Sequence, residues 1–428
     1  MSLNFIWLFV MLFIMMALNI PVATSMLISS VVYMLVYDIP IFSASIQSIW
    51  SPMSSVLLST GFFILAGNLM NNGGVTKRIF HFANTMVGWI PGGLAHSNVL
   101  ASVIFAGMSG TAIGDAGGLG QIEVQAMTDN GYDLDFSLAV TGASSILGPI
   151  IPPSVPMVMY SLVGGVSIGR MFMAGIIPGI ISAVGMMALC YVISIKRKYA
   201  KLKFPTLKEA WSSFRYAFFP LMAPVIILAS IYSGVITPSE SAVIAAVYAI
   251  VIGLFSKDLG IKELPKIFKE SFQLFGSVLY IYIASKFFGF VVTYEQVPNA
   301  LANLVRNSIG NSSPFLFFLA VIAILLVCGC IMDNNATILI IAPVLAPLAS
   351  SFGIDPVHFG LVFIFTMMIG VVTPPVGIIL FVLQGMSGIS FGKLCRAITP
   401  FIILIIGCAI LFALVPELST WLPNLVFG

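Results

Sequence analysis

Long apolar runs interrupted by Pro, Gly and Asn dominate this chain, and the interruptions fix the predicted elements. Leu3 to Tyr37 is apolar throughout, with a break at Asn19-Ile20-Pro21, where proline removes a helix hydrogen bond. Trp50-Ser51-Pro52 opens a helix to about Leu69, Asn71-Asn72-Gly73-Gly74 makes a turn, and a further helix stops at Ile90-Pro91-Gly92-Gly93. Ala95 begins another run, which leads into a stretch with glycines at 107, 110, 114, 117, 118 and 120. That density disfavours one uniform helix and predicts two half-helices meeting at an unwound point. Phe136 to Leu147 and Met171 to Ile195 follow, then a hairpin of Phe218 to Ile236 and Ala242 to Phe255 turned at Thr237-Pro238-Ser239-Glu240. Lys257 to Glu270 reads as a short basic amphipathic helix on a membrane surface. Phe272 to Val292, Phe315 to Ile331, Ala336 to Ala349, Val357 to Val372, Ile378 to Gln384 and Ile398 to Val415 complete the pattern. Several of these runs fall short of the ~20 residues a helix needs to cross a bilayer.

Composition names the solvent. Hydrophobic residues make up 59% and charged residues 8% of 428, with mean hydropathy +1.10, whereas soluble domains carry about 25% charged residues. The fold class is therefore an all-α polytopic membrane protein; the runs are too continuous for the alternating segments of a membrane β-barrel. The first basic residue is Lys77, so the first apolar run lacks the positive start of a cleaved signal and is expected to stay as a membrane helix. The net charge of +3 is clustered: Lys196, Arg197, Lys198, Lys201, Lys203, Lys208 and Arg215 face one acid, Glu209. The positive-inside rule puts that segment in the cytoplasm, and no nucleic-acid partner is expected. The five cysteines and three histidines form no metal-ligand spacing. The one Gly-Lys pair, Gly392-Lys393, lacks the remainder of a phosphate-binding loop, so uphill movement would have to draw on an ion gradient.

The two halves of the chain repeat. At one constant offset Gly131 matches Gly353, Asp133 matches Asp355, Gly148 matches Gly370, and Pro152-Pro153 matches Pro374-Pro375. Asp115 and Asp333 match four residues short of that offset, and Ser167-Ile-Gly169-Arg170 matches Ser390-Phe-Gly392-Lys393 one residue beyond it. Two units follow, residues 1–210 and 211–428, each containing scaffold helices, a re-entrant hairpin with its aspartate, and a Pro-Pro motif. Duplicated halves in carriers are commonly inverted, with the site at their interface near the midplane; inversion would leave the C-terminus outside.

Asp115 and Asp333 sit in apolar surroundings with no basic residue nearby in sequence. A carboxylate at mid-membrane costs at least ~2.5 kcal/mol and normally faces a cavity or counter-ion. Unwound carbonyls with the hydroxyls of Ser109, Thr111, Ser154 and Thr373 would complete an all-oxygen cage suited to a hard monovalent cation such as Na⁺. Half-helix N-termini at the same breaks favour an anionic solute. Asp38, Asp129, Asp133, Asp135 and Asp355 lie near segment ends and read as solvated or capping groups.

At Gly110-Thr111-Ala112 through Asp115, Gly148 to Ser154, Met332-Asp333-x-x-Ala336 with Pro343, and Thr373-Pro374-Pro375-Val376-Gly377, the chain resembles the large membrane subunit of tripartite ATP-independent periplasmic (TRAP) transporters. The likeness covers essentially the whole chain. It implies an elevator-type carrier with scaffold and transport domains, two re-entrant hairpins and about 11 transmembrane helices, in the bacterial inner membrane. It also implies two or more Na⁺ ions: one held by Ser109, Asp115 and the Gly148 region, another by Asp333 with the backbone from Gly370 to Thr373. Thr111, Ser154 and Asn334 become candidates for the substrate, an organic acid anion such as a C4-dicarboxylate or a sialic acid. Where the family often carries Ser, Thr111 keeps the hydroxyl and adds a methyl. A small four-helix membrane subunit, expected as a separate chain, and a periplasmic substrate-binding protein are the implied partners. Two other readings remain open: a stand-alone ion- or proton-coupled anion carrier, and an intramembrane aspartyl protease. The protease would need both aspartates on one water, whereas each here has its own Pro-Pro partner, so a carrier rather than an enzyme is expected.

Overall fold

In the computed structural model, residues 5–18, 20–50, 55–233, 236–297, 314–331, 334–374 and 377–428 are described, and among them there are helices and no strand. Among the described residues, six helices are long and apolar enough to cross a membrane: Ile168–Arg197, Leu207–Tyr232, Pro238–Phe255, Leu264–Tyr294, Asn334–Ser351 and Phe391–Leu414. The chain is a multi-pass membrane protein. Its remaining apolar helices are shorter, including Gly93–Ser109, Val155–Gly164, Pro356–Gly370 and Ile378–Ser387, as the breaks in the sequence require.

One group of helices forms a frame. Val22–Val36 and Ser55–Asn72 pack on the 31-residue helix Leu264–Tyr294, and Pro238–Phe255 packs on Ser55–Asn72. Thr206 and Thr237 open the two preceding helices with capping boxes closed by Glu209 and Glu240, each hydroxyl and carboxylate satisfying otherwise orphaned N–H groups. The amphipathic surface helix expected at Lys257 to Glu270 is corrected. Residues 257–263 are turns, and the helix starting at Leu264 runs into the span without a break. Pro265 sits at its first turn, where proline is tolerated, and nothing afterwards interrupts it. At 1.5 Å per residue it is about 46 Å long, so its first turns extend beyond a hydrocarbon layer of about 30 Å.

The second group holds the breaks. Gly93–Ser109 starts on the basic side: the Leu202 N–H donates to the Gly88 carbonyl at 2.9 Å, and a Cβ on Gly92 would lie 1.9 Å from Ser194 Oγ. The chain turns at Gly110, in the left-handed region at φ +60°, and returns through Ala112–Gly114, a π turn at Asp115–Leu119 and Gly120–Asp129. It comes back to the basic side, where Arg197 reaches Asp133 at 2.7 Å and Asp135 at 3.4 Å. Residues 93–129 are thus a hairpin that enters and leaves from one side. Leu134–Ser145 and Val155–Gly164 then cross as a broken helix, and Ile168–Arg197 crosses back.

The second half repeats this order from the opposite side. Phe318 and Ser419 meet His358, and Tyr160, beyond the first break, donates to the Pro356 carbonyl at 3.2 Å. The turn at 352–355 therefore lies opposite the Asp133 turn. The C-terminal helix Glu417–Phe427 is on that far side too, with Arg170 holding Asn424. The halves exchange neighbours: Phe391–Leu414 packs on Leu134–Ser145, and Ile168–Arg197 packs on Pro356–Gly370. One buried core runs through both groups.

Candidate functional site

The two breaks of the first half meet. Val155 N–H donates to the Gly110 carbonyl at 3.4 Å, and a Cβ at Gly110 would stand 2.8 Å from the Pro153 carbonyl oxygen. Gly148 lies against the Thr111 carbonyl, 3.0 Å from an added Cβ. Only glycine allows these backbones so close. The second half does the same with a different pair: a Cβ on Gly370 would come within 2.5 Å of the Gly329 carbonyl carbon. In the first half the break brings unwound backbone onto the hairpin tip; in the second, two helices, Pro314–Ile331 and Pro356–Gly370, meet backbone to backbone.

Between these tips and the frame lies a cavity of about 370 Å³. From the hairpins come Ser109, Thr111, Asn334 and Asn335; from Ser55–Asn72 come Asn68 and Asn71; from Leu264–Tyr294 comes Ser277. Helices beginning at Val155 and Ile378 present their first residues to it, so the positive ends of two helix dipoles point toward it, with the Val155, Met157 and Ile379 N–H groups already bonded to protein acceptors. Among the described residues no lysine or arginine lines it. Asn334 Oδ1 is buried without a hydrogen-bond partner, as is Ser109 Oγ. Such orphaned polar atoms need a reason, and a bound solute or ion supplies one.

The remaining predicted residues are distributed as follows. Thr111 lines the cavity while its Oγ1 accepts the Gly114 N–H at 3.3 Å. Ser154 is fully buried and caps the helix behind the cavity, accepting the Met157 N–H at 3.2 Å and donating to the Pro149 carbonyl; its hydroxyl does not reach the cavity wall. Thr373 Oγ1 donates to the Ile369 carbonyl at 2.6 Å, and its N–H donates to the Gly370 carbonyl at 3.1 Å. Asp333, Met332, Pro375 and Val376 lie outside the described residues. Of the capping aspartates, Asp355 accepts the Val357 and His358 N–H groups at 2.8 and 3.0 Å. Asp133 instead takes a hydrogen bond from Tyr199, which with the Arg197 guanidinium holds its carboxyl below the usual aspartate range.

Asp115 does not face the cavity. It is 1% exposed, at the start of the π turn, and neither oxygen has hydrogen-bond geometry with a protein donor, although the Ser102 hydroxyl lies beside it. π turns recur at functional positions because they re-aim side chains within a helix. Behind Asp115 runs a buried polar ladder: Ser102 donates to Ser144 at 3.0 Å, Ser144 to Asn98 Oδ1 at 2.8 Å, and Asn98 Nδ2 to Thr141 at 2.7 Å.

Sequence reasoning missed Asn68, Asn71, Asn335 and Glu123. Glu123 is 1% exposed, with Oε1 unpartnered. Its signal was present: Gly120, Glu123, Val124 and Met127 form the buried stripe of Gly120–Asp129, and an acid on such a stripe breaks the 3.6-residue pattern. The glycines at 107, 118 and 120 serve packing rather than unwinding. An added Cβ would strike Pro224 at 2.5 Å, Asn71 at 2.1 Å and Thr141 at 2.6 Å respectively.

Residues 9–418 match the family model described as "Tripartite ATP-independent periplasmic transporter, DctM component". The sialic acid TRAP transporter large permease protein SiaM of Vibrio cholerae is 40% identical over 373 residues, 87% of each chain. The C4-dicarboxylate TRAP transporter large permease protein DctM of Pseudomonas aeruginosa is 37% identical over 369 residues, 86% of each. In fold, the chain is similar to the crystal structure of the YdaH transporter of Alcanivorax borkumensis, with TM-score 0.65 over 87% of each chain at 14% identity.

Proposed function

Because the chain belongs to the family of the tripartite ATP-independent periplasmic transporter DctM component, a transporter permease rather than an enzyme, we propose that it is the large membrane subunit of a Na⁺-coupled importer of an organic acid anion. The cavity at the hairpin tips carries this reading. Its polar lining is built from amides and hydroxyls with helix N-termini and, among the described residues, no cationic side chain, which suits a carboxylate borne by a hydroxylated or small acid. Relatives are named for sialic acid and for C4-dicarboxylates, and this chain's solute belongs to one of these classes of acid.

Coupling rests on the first tip. Ser109, the carbonyls about Gly148 and the carboxylate of Asp115 are all oxygen donors, and Asp115 has no basic partner among the described residues. A monovalent cation there would offset a buried charge that otherwise costs several kcal/mol. Asp333, with Gly370 and Thr373, is the corresponding position of the second half, so two or more Na⁺ ions are expected. Thr111 and Asn334 touch the solute; Ser154 shapes the helix start behind them.

Movement is of the elevator type, the hairpin group sliding along the frame in the bacterial inner membrane. Close glycine contacts line that boundary: Gly67 on Ser109, Gly107 on Pro224 and Gly118 on Asn71. Smooth backbone-to-side-chain faces of this kind permit rigid-body motion between packed groups. A small membrane subunit and a soluble periplasmic binding protein complete the system. Reconstituting the subunits with a panel of organic acids, in Na⁺ or K⁺ buffer, tests the whole proposal. Uptake of one acid class, requiring Na⁺ and the binding protein, supports it; uptake by the large subunit alone in K⁺ points to a stand-alone carrier.

A further inference from the structure

Pro343 lies inside the hairpin helix Asn334–Ser351, where a proline offers no N–H to the carbonyl four residues back, here that of Leu339. That carbonyl is completed from across the boundary: the Ser285 hydroxyl, on the frame helix Leu264–Tyr294, donates to it at 2.5 Å. Ser285 is 2% exposed and Leu339 fully buried. Beside them Ala284, Phe287 and Phe288 of the frame share one buried apolar cluster with Ile340 and Val344 of the hairpin, a setting without water to take over a broken bond. The two helices run side by side, away from the basic side. Asn335 and Ile281 line the cavity, and Leu339 and Ser285 each follow about one turn later. The cavity itself stands at the basic-side end of the frame. Asn68 and Asn71 line it from the last turns of Ser55–Asn72, which leads through Gly74 to the helix whose Arg78 pairs with Asp258. From Leu264–Tyr294 it takes Leu274, Ser277, Val278 and Ile281, and nothing from the last three turns.

We propose that Ser285 is a positioning residue for transport: its bond to the carbonyl that Pro343 frees latches the hairpin group at the cytoplasmic end of its travel. The two partners lose differently when the bond breaks. After a slide of one turn the Ser285 hydroxyl can turn back to the Ile281 carbonyl of its own helix, as serines within helices do. The Leu339 carbonyl has no N–H of its own helix to return to and is left unpaired in an apolar wall, which is where an unsatisfied acceptor is most costly. That difference favours the present position over the other end of the path. The inference rests on the sliding movement proposed above and adds the residues that hold one end of it.

The test is single-molecule energy transfer between dyes on Asn130→Cys, at the turn of the first hairpin, and Lys262→Cys, on the frame, both exposed on the basic side. The protein is held in lipid nanodiscs with its five native cysteines replaced. The population matching the present structure, relative to the other, is expected to fall at least about threefold in Ser285→Ala, the equilibrium equivalent of an average hydrogen bond between membrane helices. Pro343→Ala restores an N–H to the Leu339 carbonyl and should shift the ratio by a similar factor. The double variant should go no further than either single one, because both changes remove the same interaction. Ser285→Thr, which keeps the hydroxyl, should hold the wild-type ratio. Should Ser285→Ala fail to fold, Pro343→Ala carries the test. A ratio unmoved in the folded single variants, or a double variant that adds two separate shifts, overturns the latch and leaves the sliding reading standing. One population in the wild type, with and without Na⁺ and organic acid, while uptake proceeds, removes the sliding reading and the latch with it.

Discussion

A cross-link across the frame boundary offers a direct test of sliding. Gly118 sits in the π turn of the first hairpin, and an ideal Cβ there lies 2.6 Å from Asn71 Cγ on the frame helix Ser55–Asn72. Adding one C–C bond of about 1.5 Å places the two Cβ atoms no more than about 4.1 Å apart, inside the range a disulfide spans. In a background with the five native cysteines replaced, Asn71→Cys with Gly118→Cys is expected to oxidise readily in proteoliposomes. A disulfide keeps its Cα atoms within about 7 Å, whereas carrying a site across the membrane separates these surfaces by much more. Uptake should fall at least tenfold on oxidation and return with a reductant, and either single cysteine should be insensitive. Fully cross-linked protein transporting at the reduced rate would refute movement along this boundary.

Three further outcomes follow from geometry at single residues. Gly370→Ala drives a Cβ to 2.5 Å from the Gly329 backbone; neither chain can yield, so the second tip should be displaced, with a loss of order 1–3 kcal/mol visible as a lower melting temperature and lost uptake. Asp355→Ala removes the acceptor for two N–H groups and should cost about 1 kcal/mol, again read by thermal melting, with substrate affinity unchanged. Asp133 has a folded pKa lowered by Tyr199 and then Arg197, so its stabilisation is present above the ordinary aspartate range and lost as pH falls through the lowered value. Asp133→Asn should therefore lower the melting temperature at neutral pH, and the gap to wild type should close below about pH 4. A gap independent of pH would mean that charge is not the cause.

The breaks were legible because helix-breaking residues in apolar sequence have few uses in a membrane. Gly110, Gly148 and Gly370 all lie where backbone segments meet, and Gly148 and Gly370 are the pair that the repeat matches. What sequence could not show was which atoms face the cavity. Ser154 entered as a cage hydroxyl and, through the family resemblance, as a substrate candidate, yet the same residue type is the natural cap for the helix that follows, and it caps. Asn68 and Asn71 came to the site from a frame helix far away in sequence, a placement that only packing decides. Glu123 stands among the polar residues Gln121, Gln125 and Asp129, so its place on a buried stripe is not evident until the helix packs. The helix from Leu264 was misjudged because a basic amphipathic start looks the same whether it lies on a membrane or continues into it.

The claim on which the account depends is that Asp115 and Asp333, the lone aspartate of each break, hold the driving ion. Uptake driven by an imposed Na⁺ gradient, measured for wild type, Asp115→Asn and Asp333→Asn reconstituted in equal folded amounts, addresses it most directly. Both variants are expected to retain the fold and lose Na⁺-driven uptake by at least a hundredfold. Wild-type uptake by either variant, or undiminished wild-type uptake with K⁺ replacing Na⁺ on both sides, would contradict it.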